Sequence, residues 1–170
     1  KNAKVMILWS RNPAITSVHL YKKLIKMKKL GVKIITIDFR NNETSVISDL
    51  HINVKGGSDG ALALALCKIP FEKNIVDYDF FLFFIIGFEK FKEYLDSINL
   101  DDLLHDCGVN KHTLLELSNY IALGNIITFI GYGLQRYING GNSVRSIDAL
   151  MSITGNIGKS GAGVFYSSKI

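Results

Sequence analysis

Two cysteines, Cys67 and Cys107, stand far apart in 170 residues, with no Cys-x-x-Cys pair and no clustered histidine. That excludes an iron–sulfur or zinc site assembled from this chain, because both need several ligands at short spacing. Both thiols read as buried groups of a reducing compartment, which places the protein in the cytoplasm. Long apolar runs are lacking too: the longest, Phe80 to Phe88, is about half of what a bilayer-spanning helix needs and contains Gly87. No membrane span is expected. The four histidines, His19, His51, His105 and His112, share no motif with a serine, cysteine or carboxylate that would pair a nucleophile with a base. No catalytic residue is assigned. The glycines of a Gly-x-Gly-x-x-Gly fingerprint are also absent after the first strand. The GKS at Gly158 to Ser160 is no phosphate loop, since Ile153 holds the place of the required first glycine and a helix, not a strand, precedes it.

What is present suits one domain over residues 1–170, with 48% hydrophobic content ample for a core. The net charge of +5 is diluted along the chain except at Lys22, Lys23, Lys26, Lys28 and Lys29. Only Tyr21 interleaves with that cluster, so it reads as the solvated face of a helix, and no nucleic-acid partner is expected. The chain begins with Lys1 and not Met, and it is expected to be a piece of a longer polypeptide.

The organising stretch is Val5 to Pro13, VMILWSRNP, an apolar strand that breaks into a polar turn. From Ser17 apolar residues recur at helical spacing, Gly31 follows as a cap, and a second strand, Val32 to Ile37, ends on Asp38. This is the opening half of a nucleotide-binding βαβ unit. A short link, Asn41 to Thr44, leads toward a third strand, Leu50 to Val54. The turn Lys55 to Asp59 then enters a helix capped by Ser58, which is expected to end near Ile69 or Pro70. Residues 71–123 read as helical, with Asn110 capping Lys111 to Leu123. A fourth strand, Asn125 to Ile130, breaks into Gly131, Tyr132 and Gly133. A last helix covers Ser143 to Thr154 and leaves a loose glycine-rich tail. The expectation is an α/β, Rossmann-like, three-layer fold: a mostly parallel sheet of four or five strands with helices on both faces.

In such sheets the ligand lies where strand order reverses, at the carboxyl ends of the strands. That crevice would be lined by Ser10, Arg11 and Asn12 and by Gly131 to Gly133, with Asp38 and the Gly57 to Asp59 turn beside it. Asn12 could serve a phosphate or a ribose, and Asp38 stands where nucleotide folds place an acid on ribose hydroxyls.

The segments ILWSRNP, IDFRNNET, GGSDGALALAL, GYGLQRYINGG and RSIDALMSITGNIGKSGAG resemble, in that order and spacing, the central domain of the molybdopterin oxidoreductases. These are the bis-molybdopterin guanine dinucleotide enzymes, including formate dehydrogenases, nitrate reductases and dimethyl sulfoxide reductase. The resemblance covers nearly the whole chain. It implies a domain that grips the guanosine end of one pterin dinucleotide in a molybdenum or tungsten enzyme. Carried over by position, the binding residues are Ser10, Arg11 and Asn12; Asp38 and Arg40; Gly57, Ser58 and Asp59, the acid facing the N1 and N2 donors of guanine; and Gly131, Gly133 and Arg136. The family usually has Gly where Ser10 stands, and Pro where Phe39 and Gly56 stand. Its iron–sulfur cluster and metal ligand lie in segments outside this domain, so the parent would supply the reaction centre, further domains and an electron-transfer subunit. Two other readings remain at this point: a homologous domain without molybdenum in an iron–sulfur subunit of respiratory NADH dehydrogenase, and a NAD-binding domain of an ordinary dehydrogenase. Asp59 and Arg136 together favour the first reading.

Overall fold

The computed structural model describes residues 2–72, 76 and 85–166. At its centre lies β1, Val5–Trp9, buried at every position. A strand that is apolar on both faces needs cover from both sides, the situation of a parallel sheet between helices. Beside it lie β2, Lys33–Asp38, and β4, Ile126–Ile130. The outer strands are β3, Leu50–Asn53, and β5, Gly163–Tyr166, giving the order β3-β2-β1-β4-β5. Among the described residues every pairing is parallel, with Val5 opposite both Lys33 and Ile126.

The strand order dictates where the helices go. Right-handed crossovers that step away from β1 in opposite directions must pass over opposite faces of the sheet. Between β1 and β2 come α1, Pro13–Thr16, and α2, Val18–Lys29, whose Leu24 clusters with Met6, Leu8 and Ile34 on one face. Between β3 and β4 come α3, Asp59–Glu72, α4, Phe88–Ser97, α5, Leu100–Cys107, and α6, Lys111–Ala122, and α7, Gly140–Ile153, joins β4 to β5. These build the larger core on the other face, around Ile7, Trp9, Leu62, Leu66, Leu117 and Ile147. The β2–β3 link has room for only a 3-10 turn, Ser45–Ile47.

Some boundaries differ from the sequence expectation. The one-turn α1 precedes the helix read from Ser17, because Pro13 at its start gives up an N–H that would have no partner there. Helix α3 runs past Pro70 to Glu72, since a proline in the last turn forfeits only the bond to the Leu66 carbonyl. Helix α7 begins at Gly140, ahead of Ser143, and the tail read as loose leads into β5, whose four residues are too few to show a period. Of the run Phe80 to Phe88, residues 80–84 lie outside the described residues, while Phe88 stacks on Phe71 with ring centroids 5.8 Å apart. Among the described residues no helix is long and apolar enough to cross a membrane.

Candidate functional site

Because the strands are parallel, the turns that follow β1, β2, β3 and β4 share one edge of the sheet. Ser10, directly after β1, sits at φ +50°, a left-handed backbone that residues other than glycine rarely adopt. Its amide donates to the Ile37 carbonyl at 2.7 Å and its hydroxyl to Asp59 Oδ1 at 2.9 Å. Glycine would adopt this backbone without cost, and the hydroxyl bond helps offset the strain of a serine there. Gly131 is demanded by the same turn, since a Cβ on it would lie 1.7 Å from the Ser10 carbonyl oxygen.

Asp59 opens α3 and is 2% exposed. Its Oδ1 accepts from Trp9 Nε1 and from Ser10 Oγ, both at 2.9 Å, which ties the start of α3 to the end of β1. No other residue donates to Oδ2 among the described residues. Burial pushes this carboxyl above its ordinary value; the Ser10 and Trp9 bonds pull the other way, and the nearby Asp38 charge adds to the rise. Ser58, expected to cap the helix, instead donates its hydroxyl to the Lys55 carbonyl at 2.7 Å.

A raised carboxyl has a definite signature in stability. Its protonated form favours the folded state, so its contribution is complete below the unfolded value, about pH 4, and is lost as pH rises through the folded value. Above that, the fold carries a buried charge. Asp59→Asn keeps an acceptor for Trp9 and Ser10 without the charge, and it should melt higher than wild type at pH 7, with the gap narrowing toward pH 4. Thermal melts at the two pH values check this, and a gap independent of pH would contradict it.

Asp38, at the tip of β2, is held by the link that follows it. Its Oδ2 accepts from Asn42 Nδ2 at 2.8 Å, and Asn42 Oδ1 accepts from the amides of Thr44 and Ser45 at 2.9 and 3.0 Å. Thr44 Oγ1 donates to Asn12 Oδ1 at 2.6 Å, and Asn12 Nδ2 donates to Glu43 Oε2 at 2.6 Å. The Asn12 bond holds the Glu43 carboxyl below its ordinary value. Asn42 and Thr44 are positioning residues with no stronger sequence signal than turn-forming types four to six residues after an acid.

Together these turns enclose a cavity of about 250 Å³ lined by Ser10, Asn12, Asp38, Phe39, Arg40, Asp59, Gly133 and Tyr137, among others. Phe39 is 57% exposed, and the Arg40 guanidinium lies 5.7 Å from its ring centroid. Tyr137, 41% exposed, lies against the bare backbone of Gly56 and Gly57; a Cβ on Gly56 would come 2.7 Å from its hydroxyl. Bare backbone at these two glycines leaves room for the ring where it stands. Other expected residues lie elsewhere. Arg11 points to the α2 face, 5.7 Å from the Phe129 ring centroid. Gly57 and Ser58 line a neighbouring groove, Gly131 lies beneath the Ser10 turn, and Arg136 is exposed at the end of the 3-10 segment Tyr132–Arg136.

A doubly wound parallel sheet with a polar crevice at its switch point defines the class, an α/β domain of Rossmann-like form. The chain belongs to the molybdopterin oxidoreductases: the family model of that description matches residues 1–168. It is 37% identical over 167 residues to the probable oxidoreductase YyaE of Bacillus subtilis (strain 168), covering 98% of this chain and 25% of that protein. To formate dehydrogenase H of Escherichia coli (strain K12) it is 30% identical over 164 residues, covering 96% of this chain and 23% of that protein. Among solved structures, acetylene hydratase from Pelobacter acetylenicus shares the fold with a TM-score of 0.81 at 18% identity, over 90% of this chain and 21% of that one. The chain thus spans about a quarter of the curated relatives it matches. Membership of this family implies a molybdopterin cofactor.

Proposed function

We propose that this chain is a single cofactor-binding domain that holds the guanosine end of a molybdopterin guanine dinucleotide within a larger molybdenum or tungsten oxidoreductase. The observation that carries the reading is a pair of half-used carboxylates on one cavity. Asp38 Oδ2 and Asp59 Oδ1 are bound by protein donors, and no other residue donates to Asp38 Oδ1 or Asp59 Oδ2 among the described residues. Such a wall asks for a ligand rich in hydrogen donors, and guanosine brings two ribose hydroxyls and the N1 and N2 donors of its base. The size fits as well, since about 250 Å³ lies just under the roughly 300–1,000 Å³ of pockets for drug-sized ligands and suits a nucleoside, not a whole dinucleotide.

In this reading Asp38 takes the ribose and Asp59 the guanine edge through Oδ2. Asn12 and Arg40 serve the phosphate side, and Ser10 and Gly133 shape the turn around them. Arg11, Gly57, Ser58 and Arg136 lie outside the cavity, and Gly131 acts through the backbone. The bound group would supply a metal centre for redox chemistry, with the bis-dinucleotide arrangement, metal ligand and iron–sulfur cluster completed by other segments of the parent. The parent would be an enzyme of the formate dehydrogenase or nitrate reductase kind, working with an electron-transfer subunit. The free, buried thiols of Cys67 and Cys107 support a cytoplasmic setting.

Calorimetric titration of GDP and ADP tests the assignment. One charge-assisted hydrogen bond is worth roughly 1.5–3 kcal/mol, so GDP should bind about tenfold or more tightly than ADP, and Asp59→Asn should erase the preference. Failure of both nucleotides to bind would remove the nucleoside reading. Equal affinities, or a preference that survives Asp59→Asn, would remove Asp59 as its reader.

A further inference from the structure

The two faces of the sheet are covered unequally. On the smaller one, α2 is the only helix that contributes to the core among the described residues, and its Leu24 packs over Met6 and Leu8 of β1 and Ile34 of β2. Beyond it the same face continues as Ile127 and Phe129 of β4 and Phe165 of β5, with Phe129 and Phe165 stacked at 5.4 Å and Phe165 43% exposed. These residues and α2 bound a groove of about 730 Å³. Its width is that of one helix: β4 and β5 stand about 5 and 10 Å from β1, and packed helices lie roughly 8–10 Å apart. A parallel sheet is ordinarily covered on both faces, and here a second helix beside α2 is the missing cover.

Charge narrows what that helix can be. Helix α2 contains no acid, and His19, Lys23 and Lys26, at i, i+4 and i+7, form the exposed stripe that borders the groove beside the apolar stripe of Leu20, Leu24 and Met27. Arg11 adds a fourth basic group over Phe129. No acid lines the groove, and none of the four has a carboxylate partner among the described residues.

We propose that this face docks one amphipathic helix with an acidic flank, supplied by the remainder of the polypeptide. Its apolar stripe lies on Ile127, Phe129 and Phe165, and its carboxylates meet Lys23 and Lys26. The choice of source rests on the reading of this chain as one domain of a larger enzyme, since the relatives are about four times its length.

Two experiments test surface and source. For the surface, the probe is a synthetic helical peptide with a leucine stripe and glutamates at i, i+4 and i+7, titrated into the full chain beside a twin with lysine at those positions. The acidic peptide should bind about tenfold or more tightly than the twin, and Lys23→Glu with Lys26→Glu should reverse the order. Phe165→Ser should weaken the acidic peptide roughly fivefold or more. All three positions are exposed, so these variants do not put folding at risk. No binding, equal binding of the twins, or an order that survives the charge reversal would overturn the proposal. For the source, carbodiimide coupling of the natural polypeptide, read by mass spectrometry, should join Lys23 or Lys26 to a carboxylate outside residues 1–170 of the same chain. Coupling to a second copy or to a separate protein would overturn it, as would lysines left uncoupled in a longer polypeptide. A natural polypeptide no longer than this chain would instead remove the larger-enzyme reading, and the proposed occupant with it.

Discussion

Gly131→Ala should fail to give a stable fold. The added Cβ would stand 1.7 Å from the Ser10 carbonyl oxygen, 2.6 Å from its carbon and 3.2 Å from Arg11 Cα. All three are backbone atoms, so no rotamer change relieves the overlap. Relief requires parting β1 from β4 at the pair Trp9 and Ile130, or breaking the 2.8 Å bond from the Gly131 amide to the Trp9 carbonyl. The cost is about 3 kcal/mol or more, against a total of roughly 5–15 kcal/mol for a typical domain. Gly133→Ala is the control: it lines the same cavity and a Cβ there meets nothing within 4 Å, so it should melt with wild type. Circular dichroism melts decide the matter, and a Gly131→Ala protein with a wild-type midpoint would show that the turn is pliable.

Trp9→Phe should be the most damaging conservative change in the core. The indole is fully buried and donates one of the two side-chain bonds from other residues that Asp59 receives. Phenylalanine leaves a void and strips a donor from a buried carboxylate, together about 3 kcal/mol, or a midpoint lower by roughly 6–12 °C in a domain of this length. The two parts separate in a double-mutant cycle. In the Asp59→Asn background the loss should be smaller, because no charge remains to be stranded. A loss of equal size in both backgrounds would mean that packing alone accounts for the effect.

The sheet was legible because its inner strands are short apolar runs broken by polar turns. VMILW and KIITID could only be strands buried on both faces, and an acid closing the second of them pointed to the ligand edge. The same patterning could not reveal β5, where GVFY follows a glycine-rich stretch with too few residues to show alternation. At the cavity, Asp38 was readable from its place at a strand tip, whereas capping alone accounted for Asp59 at a helix start and only the family resemblance singled it out as a ligand. The partner that buries Asp59 was not readable, because Trp9 lies fifty residues earlier and nothing local links them. Tyr137 was missed for a similar reason, since only the fold shows that bare backbone at Gly56 and Gly57 makes room for its ring, and Phe39 was legible as a departure from the family but not as part of the cavity wall. Arg11 was expected at the crevice and lies on the other face of the sheet, because the left-handed turn at Ser10 sets the direction of the next residue and no hydrophobic period reports it.

The order β3-β2-β1-β4-β5 also governs how the chain comes together as it is made. One edge of β1 finds β2 within the next thirty residues or so, whereas its other edge waits for β4, about 120 residues further on. At a synthesis rate of roughly 5–20 residues per second, β4 leaves the ribosome some 6–24 seconds after β1. Closing so long a loop is slow, and through that interval β1 offers an apolar, unpaired edge to any neighbouring nascent chain. The bond from Trp9 to Asp59 joins two residues that are both made well before β4, whereas the core around Trp9 is completed only by residues of β4 and α7 that follow.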